Sequence, residues 1–340
     1  MKIIEISRAG LPETLVIKEV KTPDTKPSEL KIRVHASGVN FADVLARQGL
    51  YQNAPPFPFV IGYEASGIVE EVGAHVDRSW IGKEAVALTH FAGYADTVFV
   101  PESRVFEKPK NLTFEEAAAF PVNALTAWGL LVNMGSLKKG ETILIHNAGG
   151  GVGLAAIDIA RHLGARTIGT SSPGKHEKLK AHGLDIAIDY RQPNWDKEIL
   201  TATDGKGVDL VIDPLGPDSW KKSSKLLKHF GRLGIYGVSE VSSNGPFRQL
   251  GMIKELLKMP FYHPIPLLTQ SRGVFALNMA HFWDNPDCKS DWVRDVIKGV
   301  EAGWIHPHVD KVFPFEKASE AHRYLEERRN FGKVILKHKV

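Results

Sequence analysis

The stretch Thr142-Ile143-Leu144-Ile145-His146-Asn147-Ala148-Gly149-Gly150-Gly151-Val152-Gly153 has the residue types and spacing to hold a pyrophosphate. An apolar, β-branched run feeds a glycine cluster. Val152, Ala155, Ala156, Ile159 and Leu163 then recur at helical spacing until Gly164 stops the pattern. Bare glycine backbone lets a phosphate approach closely, and the N–H groups and dipole at a helix N-terminus favour its charge. The spacing is Ala148-x-Gly150-x-x-Gly153, so alanine stands at the first glycine of the usual fingerprint. Gly150, Gly151, Val152 and Gly153 are the candidate phosphate contacts. An ordinary strand-to-helix turn is the competing reading of a lone glycine motif. The strand before it and the helix after it favour the pyrophosphate.

The next strand decides which dinucleotide. An NAD site expects an acidic residue about 20 residues beyond the glycines, gripping the ribose hydroxyls. Here the chain reads Arg166-Thr167-Ile168-Gly169-Thr170-Ser171-Ser172-Pro173-Gly174-Lys175, and no acid appears until Glu177. Ser171 and Lys175 suit a 2′-phosphate instead, so the expected cofactor is NADPH. For Lys175 alone, a solvated surface lysine is the alternative.

The elements that must position these residues belong to an ordinary soluble enzyme. At 340 residues the chain has length for two domains, and 43% hydrophobic with 24% charged residues argues against disorder. A net charge of +4, scattered along the chain, gives no nucleic-acid signal. The single cysteine, Cys288, excludes an internal disulfide and fits a reducing compartment or mere indifference to redox. Met1-Lys2-Ile3-Ile4-Glu5-Ile6 lacks the apolar core of a signal peptide, and no window reaches the ~18 uninterrupted apolar residues of a membrane span. The expected location is cytoplasmic.

Residues 1–122 are strand-rich, with strands expected at Leu30–Val34 and Ala65–Val72 and a short helix over Val39–Gln48. From 123 to 265 strands and helices alternate, as a parallel sheet requires, with later strands at Val208–Asp213 and Arg232–Gly237. Residues 266–340 return to mixed structure. The simplest layout inserts a nucleotide domain, 123–265, into a domain made of 1–122 and 266–340, with substrate in the cleft between them. Phe247–Leu268 interrupts this order: Met252–Met259 reads as helical, and Pro260, Pro264 and Pro266 then stop it. It suits a flap or a dimer contact. A membrane-surface contact is the alternative, because basic and apolar residues interleave.

Several stretches carry a more specific likeness. They are Gly38-Val39-Asn40-Phe41-Ala42-Asp43 with Ala46-Arg47-Gln48-Gly49, Lys175–Lys180, Gly207–Gly216, Ile305–Asp310, Pro314–Lys317 and Gly332-Lys333-Val334-Ile335-Leu336. On these the chain resembles the medium-chain dehydrogenase/reductase superfamily over essentially its whole length. Within it the chain is most similar to the zinc-independent quinone reductases, and among those to the vesicle amine transport protein group. The resemblance implies an α/β fold with a Rossmann doubly wound parallel sheet, a β-rich GroES-like catalytic domain, and a homodimer. In the resembled family the strand matching Arg272–Phe282 pairs with its copy across a two-fold axis.

The departures concern metal. Zinc alcohol dehydrogenases of this superfamily offer a cysteine in the first loop and a Gly-His-Glu further on. Here Gly38-Val39-Asn40 has no cysteine, and Gly62-Tyr63-Glu64 puts tyrosine where the imidazole would be. One cysteine in total cannot build a four-cysteine structural zinc lobe. No metal is expected. Without a Lewis acid to ionise an alcohol, reduction of an already electrophilic acceptor is the expected chemistry.

The resemblance also supplies site candidates. Asn40 matches the position beside nicotinamide and substrate, where it could donate to a developing oxyanion; a loop-capping asparagine is the alternative. Tyr63 could offer a hydroxyl in the vacated metal space or fill it as bulk. Asp43 could orient a neighbour, or be a solvated or helix-capping carboxylate; Tyr51 could line the pocket, and Glu64 reads as structural. On the cofactor side, Thr126 matches the position holding the nicotinamide amide and Tyr190 the tyrosine near the 2′-phosphate. Tyr236 and Gly237 match positions passing the ribose, and Lys333 matches a cofactor-side lysine. The expected function is hydride transfer from NADPH to a quinone or an enone. The competing function is a nucleotide-binding moonlighting protein acting at a membrane surface or with a partner.

Overall fold

The chain opens with an antiparallel pair, β1 (Lys2–Ile6) against β2 (Leu15–Glu19). In β3 (Glu29–Val39), Leu30, Ile32, Val34 and Ala36 are all buried, so the strand's period of two presents one continuous apolar face. Helix α1 (Phe41–Arg47) follows, then β4 (Phe59–Val60), which extends the first pair to three strands. β5 (Glu64–Val72), β6 (Glu84–Leu88), β7 (Thr97–Pro101) and β8 (Val105–Glu107) join β3 in a larger sheet, and the short helix α2 (Phe114–Ala117) closes this part. The computed structural model describes residues 1–239, 257–284 and 286–339.

After α3 (Pro121–Trp128) the chain alternates, as its sequence pattern requires. The elements are β9 (Thr142–Ile145), α4 (Gly151–His162), β10 (Arg166–Ser171), α5 (His176–His182), β11 (Ile186–Asp189), α6 (Trp195–Ala202), β12 (Val208–Asp213), α7 (Pro217–Lys225) and β13 (Leu227–Ile235). Beyond the segment outside the described residues come α8 (Pro264–Gln270) and β14 (Gly273–Ala276). All neighbours in this six-stranded sheet are parallel, in the order β11-β10-β9-β12-β13-β14. That is the doubly wound order with its reversal between β9 and β12. Leu144, Ile168, Val211 and Leu233, one from each of four strands, are fully buried in one apolar cluster. Parallel strands covered on both faces read as such continuous apolar runs.

The chain then passes through α9 (Pro286–Glu301) to β15 (Val309–Pro314), α10 (Ala318–Glu326) and β16 (Lys333–Lys337). β16 lies between β15 and β3 in the seven-stranded sheet, so these late residues complete the first unit. The two units are Met1–Asn123 with Val293–Val340, and Ala124–Trp292. Residues 266–292, expected in the first unit, thus stay with the second, because β14 hydrogen-bonds along β13. The strand expected over Arg272–Phe282 is also shorter. Asn278 Oδ1 accepts the Ala280 N–H at 3.0 Å, a local turn that competes with strand pairing, and Met279–Asp284 is a 3-10 helix. The helix expected over Met252–Met259 lies mostly outside the described residues. One stretch among the described residues, Phe114–Met134, is long and apolar enough to cross a membrane, but 72% of its window is buried inside the fold.

A buried polar network fixes the loop that leads into α1. Asp43 is fully buried, and its carboxylate accepts the Asn40 N–H at 2.8 Å, the Gly62 N–H at 3.2 Å and the Tyr94 hydroxyl at 3.1 Å. The Tyr94 hydroxyl also meets His322 Nε2 of α10 at 3.1 Å. Asp43 is therefore a helix cap inside the protein and not a solvated carboxylate. Burial pushes its pKa up to about 7, against the lowering by the Asn40 amide, the Lys333 charge and the Tyr94 hydroxyl. The folded protein then holds this proton where the unfolded chain, with an ordinary carboxylate near ~4, has lost it. Stability contributed by that proton falls as pH rises through about 4 to 7. Asp43→Asn carries no such proton, so its stability relative to the native chain should improve by roughly 2–3 kcal/mol between pH 5 and pH 8. Urea midpoints of both proteins across that range check this; a constant difference would contradict it.

Candidate active site

At the end of β9 the backbone turns sharply: Asn147 has φ 53°, and α4 begins at Gly151 with Gly150 as its extended N-cap. A Cβ on Gly153 would lie 2.5 Å from the carbonyl oxygens of both Asn147 and Ala148, so only glycine lets the helix start this close to the strand. On Gly150 it would meet Asn147 Nδ2 at 2.7 Å. The first N–H groups of α4 have no carbonyl partner within the helix and carry its positive dipole end. This turn sits at the strand-order reversal, where doubly wound sheets bind ligands. Gly150, Gly151, Val152 and Gly153 make up this turn and the first turn of α4.

Behind the turn lies a polar chain that sequence reasoning missed. His146 is fully buried, with Nδ1 2.9 Å from Thr170 Oγ1 and Nε2 3.0 Å from Ser223 Oγ. Ser223 spends its proton on Asp213 Oδ2 at 2.8 Å, and Ser219 donates to the same oxygen at 2.6 Å. Ser223 must then accept from His146 Nε2–H, which leaves Nδ1 to accept from Thr170. Burial lowers the pKa of His146 despite the opposing Asp213 charge, so the ring is neutral and fits this tautomer. Its only sequence signal is a histidine ending an apolar strand, one of fourteen in the chain.

Thr170 stands at the expected acid position, but its hydroxyl is committed inward to His146. Ser171, 4% exposed, ends β10 and pairs in register with Asp189. Lys175 is half-buried at the end of the 3-10 turn Pro173–Lys175, and Tyr190 is half-buried just past β11. Arg191, not singled out from sequence, holds Asp189 at 3.1 Å and neutralises the acid of this corner. Tyr236 and Gly237 follow β13, the Tyr236 N–H facing the Asp213 carbonyl at 3.4 Å. Thr126 is buried in α3.

In the first unit, Asn40, Glu64 and Lys333 meet. Asn40 Nδ2 donates to Glu64 Oε1 at 2.9 Å, and Lys333 Nζ donates to Asn40 Oδ1 at 2.6 Å and to Glu64 Oε1 at 2.5 Å. The other carboxylate oxygen of Glu64 accepts the Val122 N–H at 2.8 Å. Glu64 is fully buried, Lys333 3% exposed and Asn40 7% exposed. Lys333, expected among the cofactor contacts, therefore spends its ammonium on Asn40 and Glu64. Sequence could not join residues separated by 293 positions.

Tyr63 packs in an aromatic cluster beside them. Its ring lies 5.0 Å from Phe91 and 6.1 Å from Tyr51, and burial holds its phenol far above the ordinary range. His90, Phe91 and Ala92 are three successive left-handed residues, with φ of 43°, 77° and 63°, and they carry Phe91 into this cluster. Tyr63 puts a buried phenol where the pattern has an imidazole, and the neighbouring Glu64 is already matched by an ammonium. A Cβ on Gly38 would fall 2.6 Å from Glu64 Oε1, so the first loop has no space for a ligating side chain there. Asn40, Tyr63 and Glu64 do not form a zinc ligand set. Among the described residues, no group of three or more His, Cys, Asp and Glu is placed to hold a metal ion.

Comparison with known proteins agrees with both units. The alcohol dehydrogenase GroES-like domain matches residues 26–110, and the family described as zinc-binding dehydrogenase matches residues 182–336. The human synaptic vesicle membrane protein VAT-1 homolog is 37% identical over 316 residues, spanning 92% of this chain and 80% of that protein. A quinone oxidoreductase of Pseudomonas aeruginosa is 33% identical over 339 residues, spanning 98% and 99% of the two chains. The crystal structure of Escherichia coli quinone oxidoreductase complexed with NADPH superposes with a TM-score of 0.87 at 28% identity, across 99% of this chain and 100% of that one. At these identities and coverages the chain belongs to the quinone oxidoreductase-like part of the medium-chain dehydrogenase/reductase superfamily.

Proposed function

We propose that this protein is a zinc-independent oxidoreductase that moves hydride from NADPH to a quinone or an α,β-unsaturated carbonyl compound. The observation that carries the reading is Asn40, an almost fully buried amide tied to Lys333 and Glu64 in the corner where zinc dehydrogenases keep metal ligands. The α4 N-terminus takes the pyrophosphate. Ser171, Lys175 and Tyr190 take the 2′-phosphate, because Thr170 is turned inward and Asp189 is neutralised by Arg191. Thr126, Tyr236 and Gly237 complete the cofactor contacts. The named relative complexed with NADPH supports the same cofactor.

When bound, NADPH supplies the hydride. The acceptor carbon gains it, the electron pair of the conjugated system moves onto the carbonyl oxygen, and a proton from water or a nearby donor completes the reduced product. Asn40 stabilises the oxygen as its charge develops. Tyr63 and Tyr51 line the acceptor pocket with protonated phenols, since burial raises both. The remaining help is proximity and orientation, worth ~7–11 kcal/mol of barrier in favourable cases.

A second reading has one observation behind it. Leu257, Phe261, Ile265 and Leu268 are 60–84% exposed around α8, an apolar surface suited to a partner or a membrane surface. A nucleotide-binding protein working through that surface would bind NADPH without turning it over.

Steady NADPH oxidation with a panel of quinones and enones, undiminished after dialysis against a chelator, is the expected result. Binding with no turnover across the panel would favour the second reading, and activity restored only by zinc would reject the metal-free mechanism. Lys175→Ala should weaken NADPH binding by about 10-fold and leave NADH nearly unchanged. One charge-assisted contact contributes ~1.5–3 kcal/mol net, and half-exposure argues for the lower end. Paired titrations with both nucleotides check this; equal losses would remove Lys175 from the site. β14 ends its sheet, and an edge strand invites pairing with a second copy. A homodimer is the expected assembly, and a monomer mass by light scattering at micromolar concentration would contradict it.

A further inference from the structure

An asparagine amide can present either its oxygen or its nitrogen to a ligand, and the two ends do opposite chemistry. At Asn40 the choice is already made by neighbours. Lys333, which has no acceptor to offer, can bond only the oxygen, and the carboxylate of Glu64, which has no donor when ionised, can bond only the nitrogen. Rotating the amide by half a turn would set an N–H against an ammonium and a carbonyl against a carboxylate, in a place closed to water. The Asn40 backbone N–H is held separately by Asp43, which fixes the residue from the other side. One consequence is left over. Asn40 Nδ2 carries two hydrogens, Glu64 takes one, and no acceptor among the described residues takes the other.

We propose that Lys333 and Glu64 are positioning residues for the reductase reaction: together they lock the Asn40 amide so that its second N–H is the donor to the acceptor's developing oxyanion. This rests on the reductase reading above. It also gives Lys333 a different role from a cofactor contact, since its ammonium works through Asn40 on the acceptor side. The buried cation sits beside the carboxylate that survives from the metal-binding pattern, and it orders a hydrogen bond where a zinc dehydrogenase would order a metal-bound oxygen. The substrate class follows from the donor. The pocket favours acceptors that build negative charge on a carbonyl oxygen and gives no such help to a leaving hydroxyl proton.

The test is a double-mutant cycle on the intact protein with NADPH and the best acceptor of the panel. Asn40→Ala is expected to lower kcat by about 100-fold, the cost of removing one oxyanion donor. Lys333→Met is expected to lower kcat by about 10- to 100-fold while the NADPH Kd stays within about 2-fold. Combined, the two should cost no more than Asn40→Ala alone, because Lys333 acts only through that amide. Additive losses, or a loss of NADPH affinity that matches the loss in kcat, would overturn the proposal. Removing one member of a buried ion pair is costly, so if Lys333→Met does not fold the same cycle is run with Glu64→Gln, with the same outcomes. Amide orientation is read independently of activity by NMR on asparagine-labelled protein. The Asn40 side-chain N–H bonded to Glu64 should be strongly protected from exchange, and Lys333→Met or Glu64→Gln should reduce that protection by loosening the amide. A native enzyme that reduces nothing in the panel yet shows the protected amide would sink the reductase reading alone; an unprotected Asn40 amide in an active enzyme would sink this one.

Discussion

A carboxylate taken out of water must have its charge met, and in this protein the arrangement of the first unit follows from how Glu64 is met. One oxygen receives an ammonium and an amide, and the other receives a backbone N–H. These partners come from the first loop, the start of α3 and β16, so the ion cluster clamps three remote pieces of chain around one side chain. In a dehydrogenase with zinc, the dication sets the local electrostatics and ligands are arranged around it. In the Asn40–Glu64–Lys333 cluster the positive charge sits on a flexible stem, and an ammonium cannot accept an oxygen lone pair as a Lewis acid does. What it can do is dictate which end of a neighbouring amide is presented.

The second unit meets its buried carboxylate, Asp213, with hydroxyls and a neutral imidazole behind them. Thr170, His146, Ser223 and Ser219 pass hydrogen bonds toward Asp213, across the ends of β9, β10 and β12. A neutral imidazole suits such a chain because it donates from one nitrogen and accepts at the other. The glycine turn after β9 is therefore backed by a directional hydrogen-bond network and not by packing alone, and the Thr170 hydroxyl is engaged from behind.

Much of this was legible from the residues themselves. The strand at Thr142–Ile145, the glycines at 150 and 153 and the helix beyond them followed from period and from the need for close backbone approach. The strands at Val208–Asp213 and within Glu64–Val72 followed from their apolar patterns. What was not legible depends on contacts far apart in sequence or on small local competitions. Nothing in the neighbourhood of Lys333 says that its partner is Asn40. Nothing near Asp43 says that it is sealed by Tyr94 and α10. The apolar run from Arg272 to Phe282 looks like one strand until the Asn278 side chain folds back on the Ala280 N–H and ends it. The switch from β14 back to the first unit falls later than composition implied, since hydrogen bonds along β13 leave no compositional mark.

The place of β16 in the large sheet has a consequence for the order of events during synthesis. This strand pairs with β3 on one side and β15 on the other, and it carries Lys333. A nascent chain that has reached residue 300 already contains Asn40, Glu64 and the whole phosphate turn. It still lacks the cation that reconciles the first two. Contacts spanning most of the chain are slow to form because a long loop must close first. The nucleotide-binding half can thus mature while the chain is still being made, whereas the half that commits the amide stays chemically silent until the last strand arrives.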